Sequence, residues 1–513
     1  MALVLAVIAG VPPIVWSIAG SDSGGGAGIQ ADLHAFHALG AHGCTVITAT
    51  TAQNSREVRH VEFASREMLR HCIAVLRDDL PPRAVKLGML GSDAVIAEVA
   101  PFVQAYEGMV VCDPVMVTTS GARLLDEGAS EALQRDVFPY CSLVTPNLQE
   151  AEALLKRKLE SPAEVEAGAS ELLRAGCRAV LIKGGHTVAH DGHSSFLAQD
   201  YFSDGTTSAW LTLPRLPTDE THGTGCTLSS ATAALLANGM PLIDAVVLAK
   251  AYVHQGIAAA TRLGSGPGPV AHTSFPSSPD SMPWLTIDVE SARQRPCFPR
   301  CDGSAARGLL PIMDTSARVA TVVEAGAKDV QLRLKGVSGE MLLNEVREAQ
   351  RVCAANGARL WVNDHWETAL ACGAYGVHIG QEDLSAMSMT ELERIASAGV
   401  RLGVSTHSYS ELARAIAVRP SYISLGPVFQ TSSKRVDFSP QGLLTVSRWR
   451  KLIPADTPFM AIGGISKDVA PSVLEAGADS IAVISALTES PEGLSLADAT
   501  RAWNLLWSTA SRA

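Results

Sequence analysis

The chain has 513 residues, 47% of them hydrophobic and only 5% aromatic, with a formal net charge of −11. That length exceeds what one core organises, so about two to four domains are expected. The acidic balance and the lack of a long basic run argue against a nucleic-acid-binding protein. Its ten cysteines are scattered, and the tightest pair, Cys297 and Cys301, has no second pair or nearby histidine, so they read as reduced thiols of a cytoplasmic protein.

From Ala2 to Ala19 there is no charge, but no Lys or Arg precedes the run and Pro12-Pro13 interrupts it. It is read as an extension followed by a buried strand, Ile14 to Ala19, rather than as a targeting or membrane segment. A glycine loop, Gly24-Gly25-Gly26-Ala27-Gly28, follows and opens a helix. Such a loop lets a ligand approach the backbone and the free N–H groups of a helix start, although a plain tight turn has the same composition. Val110 to Asp113, Leu143 to Thr145 and Ala179 to Lys183 are short apolar runs with polar ends, as in buried parallel strands whose C-terminal ends carry a site. Helical patterns at Glu150 to Lys158 and Ala163 to Ala175 separate them, which implies a doubly wound α/β sheet. Gly223-Thr224-Gly225-Cys226-Thr227 opens another helix with small residues. Successive N–H groups there suit a transferring phosphoryl group. Cys226 sits at the positive helix end, where a thiol pKa tends to fall below about 8.5, so it is a candidate base for an attacking hydroxyl. The alternative is that it merely fits a tight corner, since phosphoryl transfer needs little help from a base.

Gly264 to Pro283 is rich in Gly, Pro and Ser and reads as a linker, with a strand-like piece at Gly268-Pro269-Val270. The domains are set at 1–272 and 305–513, with a linker over 273–304. From Leu309 onward eight strands are expected: Leu309 to Asp314, Val330 to Lys335, Leu360 to Asp364, Gly376 to Gln381, Arg401 to Thr406, Tyr422 to Val428, Phe459 to Gly464 and Ser480 to Ser485. Gly326, Gly373 and Gly477 are each expected to end a helix in a left-handed conformation just before a strand. Eight such units make a (βα)8 TIM barrel, with its active site at the strands' C-terminal ends. Arg333 and Lys335 alternate with Leu332 and Leu334 on one strand, so both cations should face the barrel mouth and call for an anion or a salt bridge. Asp364 and Asp383 end consecutive strands, the usual setting for Mg²⁺ with substrate phosphates. Lys434 lies in a loop able to close on a phosphate, and Gly463-Gly464 and Ile484-Ser485 end the last two strands, where barrels hold phosphate on N–H groups.

The first half resembles the hydroxymethylpyrimidine and phosphomethylpyrimidine kinases of thiamine biosynthesis, within the ribokinase-like superfamily, over roughly residues 14 to 272. The likeness rests on Ala19 through Asp32, Ala52-Gln53-Asn54, Lys86 to Leu90, Asp113 to Met116, Thr145 to Glu150, Lys183 to His186 and His222 to Thr227. It implies that Gln53 and Asp32 read the aminopyrimidine with Met89 packed on its ring. It also implies that Asn147 and Glu150 organise magnesium-ATP, that Lys183 and Thr224 meet the phosphates beside Gly225, and that Cys226 and Lys183 serve the reaction.

The second half resembles thiamine-phosphate synthase over roughly residues 307 to 508. Gln331, Arg333, Lys335, Asn363 and Lys434 match its diphosphate positions, and Asp364 and Asp383 its magnesium ligands. Ser405 matches a serine near the reacting centre, and Thr431, Ser432, Ser433, Gly464, Ile484 and Ser485 the thiazole-phosphate site. His365, Leu334 and Ser433 depart from common residues of the pattern. Together the two likenesses imply consecutive steps on small-molecule substrates, with ATP and Mg²⁺, no nucleic acid, no membrane, and a homo-oligomeric assembly. A kinase joined to a non-catalytic thiamine-phosphate-binding barrel, or a pyridoxal-type kinase, are the alternatives.

Overall fold

The computed structural model describes residues 10–116, 127–184, 196–303, 305–431, 439–490 and 493–510. The chain divides into two compact units at the junction of Ala292 and Arg293.

The first unit is built on a ten-stranded sheet. Its strands are β1 (Ile14–Asp22), β2 (His42–Gln53), β3 (Val58–Phe63), β4 (Ala84–Leu87), β5 (Met109–Cys112), β6 (Leu143–Val144), β7 (Val180–Lys183), β8 (Leu197–Ser203), β9 (Ser208–Pro214) and β10 (Trp284–Thr286). Their order across the sheet is β10-β9-β8-β7-β6-β5-β4-β1-β2-β3. The six central strands β2, β1, β4, β5, β6 and β7 are parallel, while β3 at one edge and β8, β9 and β10 at the other each pair antiparallel with the preceding neighbour in the sheet. The parallel strands are covered on both faces, which is why β1 and β4 read as apolar runs. Helices Gly28–Ala38, Thr224–Ala237 and Leu242–Ala258 pack together in one layer, and Arg66–Asp79 packs with Asp93–Ala105 in another.

The expected linker over 273–304 is not free chain. Trp284–Thr286 adds β10 to the edge of β9, pairing Trp284 with Thr212 and Thr286 with Trp210. An edge strand leaves unpaired N–H and C=O groups, and a three-residue strand is enough to cover them. The residues after Ala292 belong to the second unit: Arg295 donates to the carbonyls of Ile416 and Ala417, and Ser421 donates to the carbonyl of Pro299. Pro and Ser content marked this stretch as loop, but it could not reveal that each half of the loop is docked.

The second unit is a closed barrel of eight parallel strands: β11 (Leu309–Met313), β12 (Asp329–Leu332), β13 (Arg359–Asn363), β14 (Gly376–Ile379), β15 (Arg401–Thr406), β16 (Tyr422–Leu425), β17 (Phe459–Ile462) and β18 (Ser480–Val483). All eight overlap the expected runs, although β12 and β16 each end three residues earlier than expected, at Leu332 and Leu425. Gly326, Gly373 and Gly477 have φ of +102°, +65° and +112°, so each turns the chain as expected between helix and strand. Leu310, Ile312, Trp361, Tyr422 and Met460 fill the barrel interior.

Candidate active sites

The kinase-like pocket is a cavity of about 810 Å³ whose lining includes Gln53, Met89, Asp113, Asn147, Glu150, Lys183, Thr224, Gly225 and Cys226. Its floor is the start of helix Thr224–Ala237. Gly223, at φ +81°, caps that helix without a side-chain hydrogen bond. The Thr224 N–H donates back to the Thr221 carbonyl at 3.3 Å, whereas those of Gly225 and Cys226 lack an intrahelical partner and are open to an anion. A Cβ at Gly223 would lie within 1.9 Å of the Gly26 carbonyl oxygen, so the corner and the glycine loop are packed against each other and only glycine fits.

That loop does not present its N–H groups to a ligand. The Asp22 carboxylate accepts from the N–H of Gly24 at 2.8 Å, Gly26 at 3.2 Å and Ala27 at 2.9 Å, and lies 3.1 Å from His222 Nε2. Burial opposes its ionisation, but the His222 and backbone hydrogen bonds hold its carboxyl below the usual range. The glycines thus build a tight turn around Asp22, so the loop acts by shape.

Lys183 Nζ donates to Asp113 Oδ1 at 2.7 Å. Both groups sit against the helix start, since a Cβ on Gly225 would be 3.1 Å from Lys183 Nζ and 3.3 Å from Asp113 Oδ2. Burial works against the Lys183 charge, but Asp113 and Glu150 outweigh it and raise its pKa. Asn147 and Glu150 form a reciprocal cap on helix Leu148–Leu155: Glu150 N–H donates to Asn147 Oδ1 at 2.9 Å and Asn147 N–H donates to Glu150 Oε2 at 2.8 Å. Burial pushes the Glu150 carboxyl up to about 7, with Lys183 pulling it down and Asp113 pushing it further up.

Two expectations need correction. Asp32 is fully buried beneath the pocket, where Lys86 Nζ donates to both its oxygens at 2.8 and 2.9 Å and Ser17 and Ser230 donate at 2.5 Å each. Its acceptors are directed to protein donors, so it cannot itself read a substrate ring. Cys226 is not acidified by its helix. Burial pushes its thiol up to about 11, despite the opposing field of Lys86. The helix end supplies a fraction of a charge, whereas desolvation penalises the whole thiolate. Lys86 carries no role in the sequence motifs, although a lysine in the middle of the wholly buried strand Ala84–Leu87 is a signal by itself.

In the barrel, β12 stops at Leu332, so Arg333 and Lys335 stand in the loop beyond it rather than on one strand face. The two part company there: Lys335 is exposed, whereas Arg333 is half-buried and its charge acts on Asp364 and His378. Gln331, at the end of β12, donates to Asn363 Oδ1 at 3.4 Å, and Asn363 Nδ2 donates to the Asp364 carboxylate. Asp364 itself adopts φ +63°, which turns the chain sharply at the end of β13. Burial and the neighbouring Asp383 carboxylate push its carboxyl up, with Arg333 and His365 pulling the other way. Asp383 reaches it from the short helix Gln381–Ala386. Two neighbouring carboxylates repel, and an all-oxygen pair of this kind suits Mg²⁺. Among the described residues no group of three His, Cys, Asp or Glu could hold a metal, so substrate phosphate and water would complete the shell.

Ser405 sits on β15, with its Oγ 2.7 Å from His378 Nε2 and its carbonyl accepting from Gln381 Nε2 at 2.7 Å. Burial pushes His378 down to about 3, with Arg333 and His407 adding to the effect. Gly463 and Gly464 follow β17 at φ +99° and +65°. A Cβ on Gly464 would lie 2.3 Å from the Gln430 carbonyl oxygen, which packs this turn against the end of the β16 loop, next to Thr431. Ile484 precedes the four-residue helix Ser485–Thr488 after β18. Ser432, Ser433 and Lys434 lie outside the described residues.

A pocket with a cation and an open helix start, joined to a barrel with paired carboxylates at its mouth, defines a two-site transferase acting on phosphorylated small molecules. The profile of the phosphomethylpyrimidine kinase family matches residues 22–271, and that of thiamine monophosphate synthase matches residues 309–487. A protein of Oryza sativa subsp. japonica, named a probable thiamine biosynthetic bifunctional enzyme, chloroplastic, is 35% identical over 489 residues, covering 93% of this chain and 86% of that one. The hydroxymethylpyrimidine/phosphomethylpyrimidine kinase of Rhizobium meliloti is 48% identical over 262 residues, covering 50% of this chain and 96% of that one. The pyridoxal kinase of Staphylococcus aureus, solved with AMP-PCP and pyridoxal, is 32% identical over 52% of this chain and 95% of that one, with a TM-score of 0.47. The chain belongs to the bifunctional thiamine biosynthetic enzymes, a phosphomethylpyrimidine kinase unit followed by a thiamine-phosphate synthase barrel.

Proposed function

We propose that the first unit uses ATP to phosphorylate hydroxymethylpyrimidine and then its monophosphate, and that the barrel joins the resulting diphosphate to thiazole phosphate. The observation that carries this reading is the pairing, on one chain, of an open helix start facing Lys183 with a second site where Asp364 and Asp383 meet. The first can hold a transferring phosphoryl group and the second a diphosphate with its cation.

In the kinase site, Gln53 and Met89 hold the aminopyrimidine, and Asn147 and Glu150 organise magnesium-ATP. Lys183, the Thr224 hydroxyl and the Gly225 N–H balance charge on the phosphates. Cys226 meets the reacting hydroxyl as a neutral thiol. Phosphoryl transfer passes through a loose transition state, so positioning and charge count for more than a strong base.

In the barrel, the C–O bond between the pyrimidine methylene and the diphosphate breaks, and its electron pair leaves with the diphosphate. The electron-rich ring stabilises the cation left behind, and the thiazole nitrogen's lone pair then forms the new C–N bond. Gln331, Arg333, Lys335, Asn363 and Lys434 hold the leaving diphosphate, and Ser405 holds the pyrimidine. Thr431, Ser432, Ser433, Gly464, Ile484 and Ser485 bind the thiazole phosphate. Mg²⁺ on Asp364 and Asp383 would neutralise charge developing on the diphosphate. We assign the protein to the cytoplasm as a homo-oligomer, a reading that size-exclusion chromatography and fractionation check.

The test is a one-pot reaction with purified protein, hydroxymethylpyrimidine, ATP, Mg²⁺ and thiazole phosphate, read by mass. Thiamine phosphate is the expected product. Accumulated pyrimidine diphosphate without it would overturn the synthase half, and preferential phosphorylation of pyridoxal in competition would overturn the kinase half.

A further inference from the structure

Three adjacent barrel strands place a tyrosine, a histidine and a serine in a line. In the register of the sheet, His378 on β14 lies beside Gly403 on β15, and Gly403 lies beside Tyr422 on β16. Gly403 contributes no side chain between them. A Cβ there would come within 2.2 Å of Tyr422 Cζ and 2.6 Å of its Oη, so the phenol occupies the space a side chain would take. Tyr422 thereby reaches across β15, its Oη 2.6 Å from His378 Nδ1, with the two rings stacked at 5.6 Å. Ser405 stands two residues beyond Gly403 on the same strand and so on the same face. Its Oγ is 2.7 Å from His378 Nε2.

This chain of hydrogen bonds has a direction. Tyr422 is fully buried, and among the described residues the hydrogen-bond partner of its hydroxyl is His378 Nδ1. A buried phenol that only accepted would leave its own proton unpaired, which is costly, so Tyr422 donates and Nδ1 accepts. A neutral imidazole with Nδ1 as acceptor carries its proton on Nε2. Nε2–H then donates to Ser405 Oγ, and the serine's own proton remains for another partner.

We propose that Tyr422 and His378 are positioning residues that fix Ser405 as a hydrogen-bond donor toward an acceptor atom of the substrate in the barrel mouth. The acceptor that fits is a ring nitrogen of the aminopyrimidine, so the proposal rests on the reading of Ser405 as a pyrimidine contact. The relay reads the ring through neutral groups and places no full positive charge beside the cation that forms when diphosphate leaves. Without its support the serine hydroxyl rotates freely and serves as donor or acceptor alike.

The direction is measured on the full-length wild-type protein with ¹⁵N-labelled histidine, taking the His378 signals as those lost in His378→Gln. The expected tautomer has its proton on Nε2, and a proton on Nδ1 overturns the relay whether or not the protein couples its substrates. The consequence is read in the synthase kinetics with pyrimidine diphosphate. His378→Leu removes the donor and raises KM about tenfold with kcat within about threefold, the pattern of lost binding shared by ground and transition states. His378→Gln, whose amide donates from nearly the same place, stays within about threefold of wild type in KM. Equal KM increases in His378→Leu and His378→Gln, or none in either, overturn the positioning role. A wild-type protein that does not couple its substrates while showing the Nε2 proton would instead overturn the reading of the barrel as a synthase.

Discussion

Replacing Lys86 by Met tests whether the Lys86–Asp32 pair is architecture beneath the kinase pocket or part of substrate recognition. Both side chains are fully buried and 2.8 Å apart at closest approach. Removing the cation leaves a buried carboxylate with only Ser17 and Ser230 as donors, and breaking a buried pair in this way costs about 3–5 kcal/mol. For a unit of this size each kcal/mol lowers the midpoint by about 2–4 °C, so the loss is roughly 6–20 °C. The assay is residual kinase activity after brief heating, which reports the first unit without interference from the barrel. Adding Asp32→Asn removes the orphaned charge and keeps an acceptor for the two serines, so the double variant regains about 2 kcal/mol. The Lys86 pKa is raised by Asp32 even though burial opposes it. A raised lysine contributes fully below its unfolded pKa of about 10.4 and loses its contribution only as pH rises through the folded value, so the effect is flat between about pH 6 and 9. A loss below about 1 kcal/mol, or a double variant as unstable as the single, would refute the reasoning. Should Asp32→Asn alone raise the KM for hydroxymethylpyrimidine without lowering the midpoint, the carboxylate would be a substrate contact after all.

Cys226→Ser is expected to keep kcat within about tenfold of wild type and to leave the shape of its pH profile between about pH 6 and 9 unchanged, because a thiol pushed up to about 11 is not ionised there. A loss beyond about a hundredfold would make Cys226 a working base. Glu150 is pushed up to about 7, so its neutral form is the one the fold favours and its stabilising effect fades as pH rises from about 4.3 to 7. Binding of magnesium-ATP should weaken in the opposite sense, as pH falls through about 7, and Glu150→Gln should flatten that titration of KM. Asp364→Asn should raise the Mg²⁺ concentration needed for half-maximal coupling by more than about tenfold, since even outer-shell partners of metal ligands are worth that much, while kinase rates stay unchanged. Lys335→Ala should lower coupling likewise, and full synthase activity in that variant would remove Lys335 from the diphosphate site.

Much of this protein can be read along the chain because its fold is periodic. Each barrel strand is a short apolar run between helices, and glycines at 326, 373 and 477 mark the helix ends, so eight strands and a (βα)8 closure follow from local patterns. The short apolar strands that open the kinase half are legible for the same reason, as is the place of Asp364 directly after β13, whereas Asp383, expected at a strand end, lies within the helix Gln381–Ala386 beyond β14. Register, depth and pairing are non-local, and only the tertiary structure decides them. It turns Asp32 from an expected contact of the aminopyrimidine into the buried partner of Lys86, 54 residues away in the chain. It separates Arg333 from Lys335 by ending β12 one residue before them, and it docks both ends of a segment whose composition reads as linker. It raises the Cys226 thiol that helix position alone would lower, because burial is a property of the whole pocket. His378 shows the same limit: in the sequence it is one polar residue in a buried strand, and its alignment with Tyr422 and Ser405 exists only once three strands lie side by side with a glycine between them.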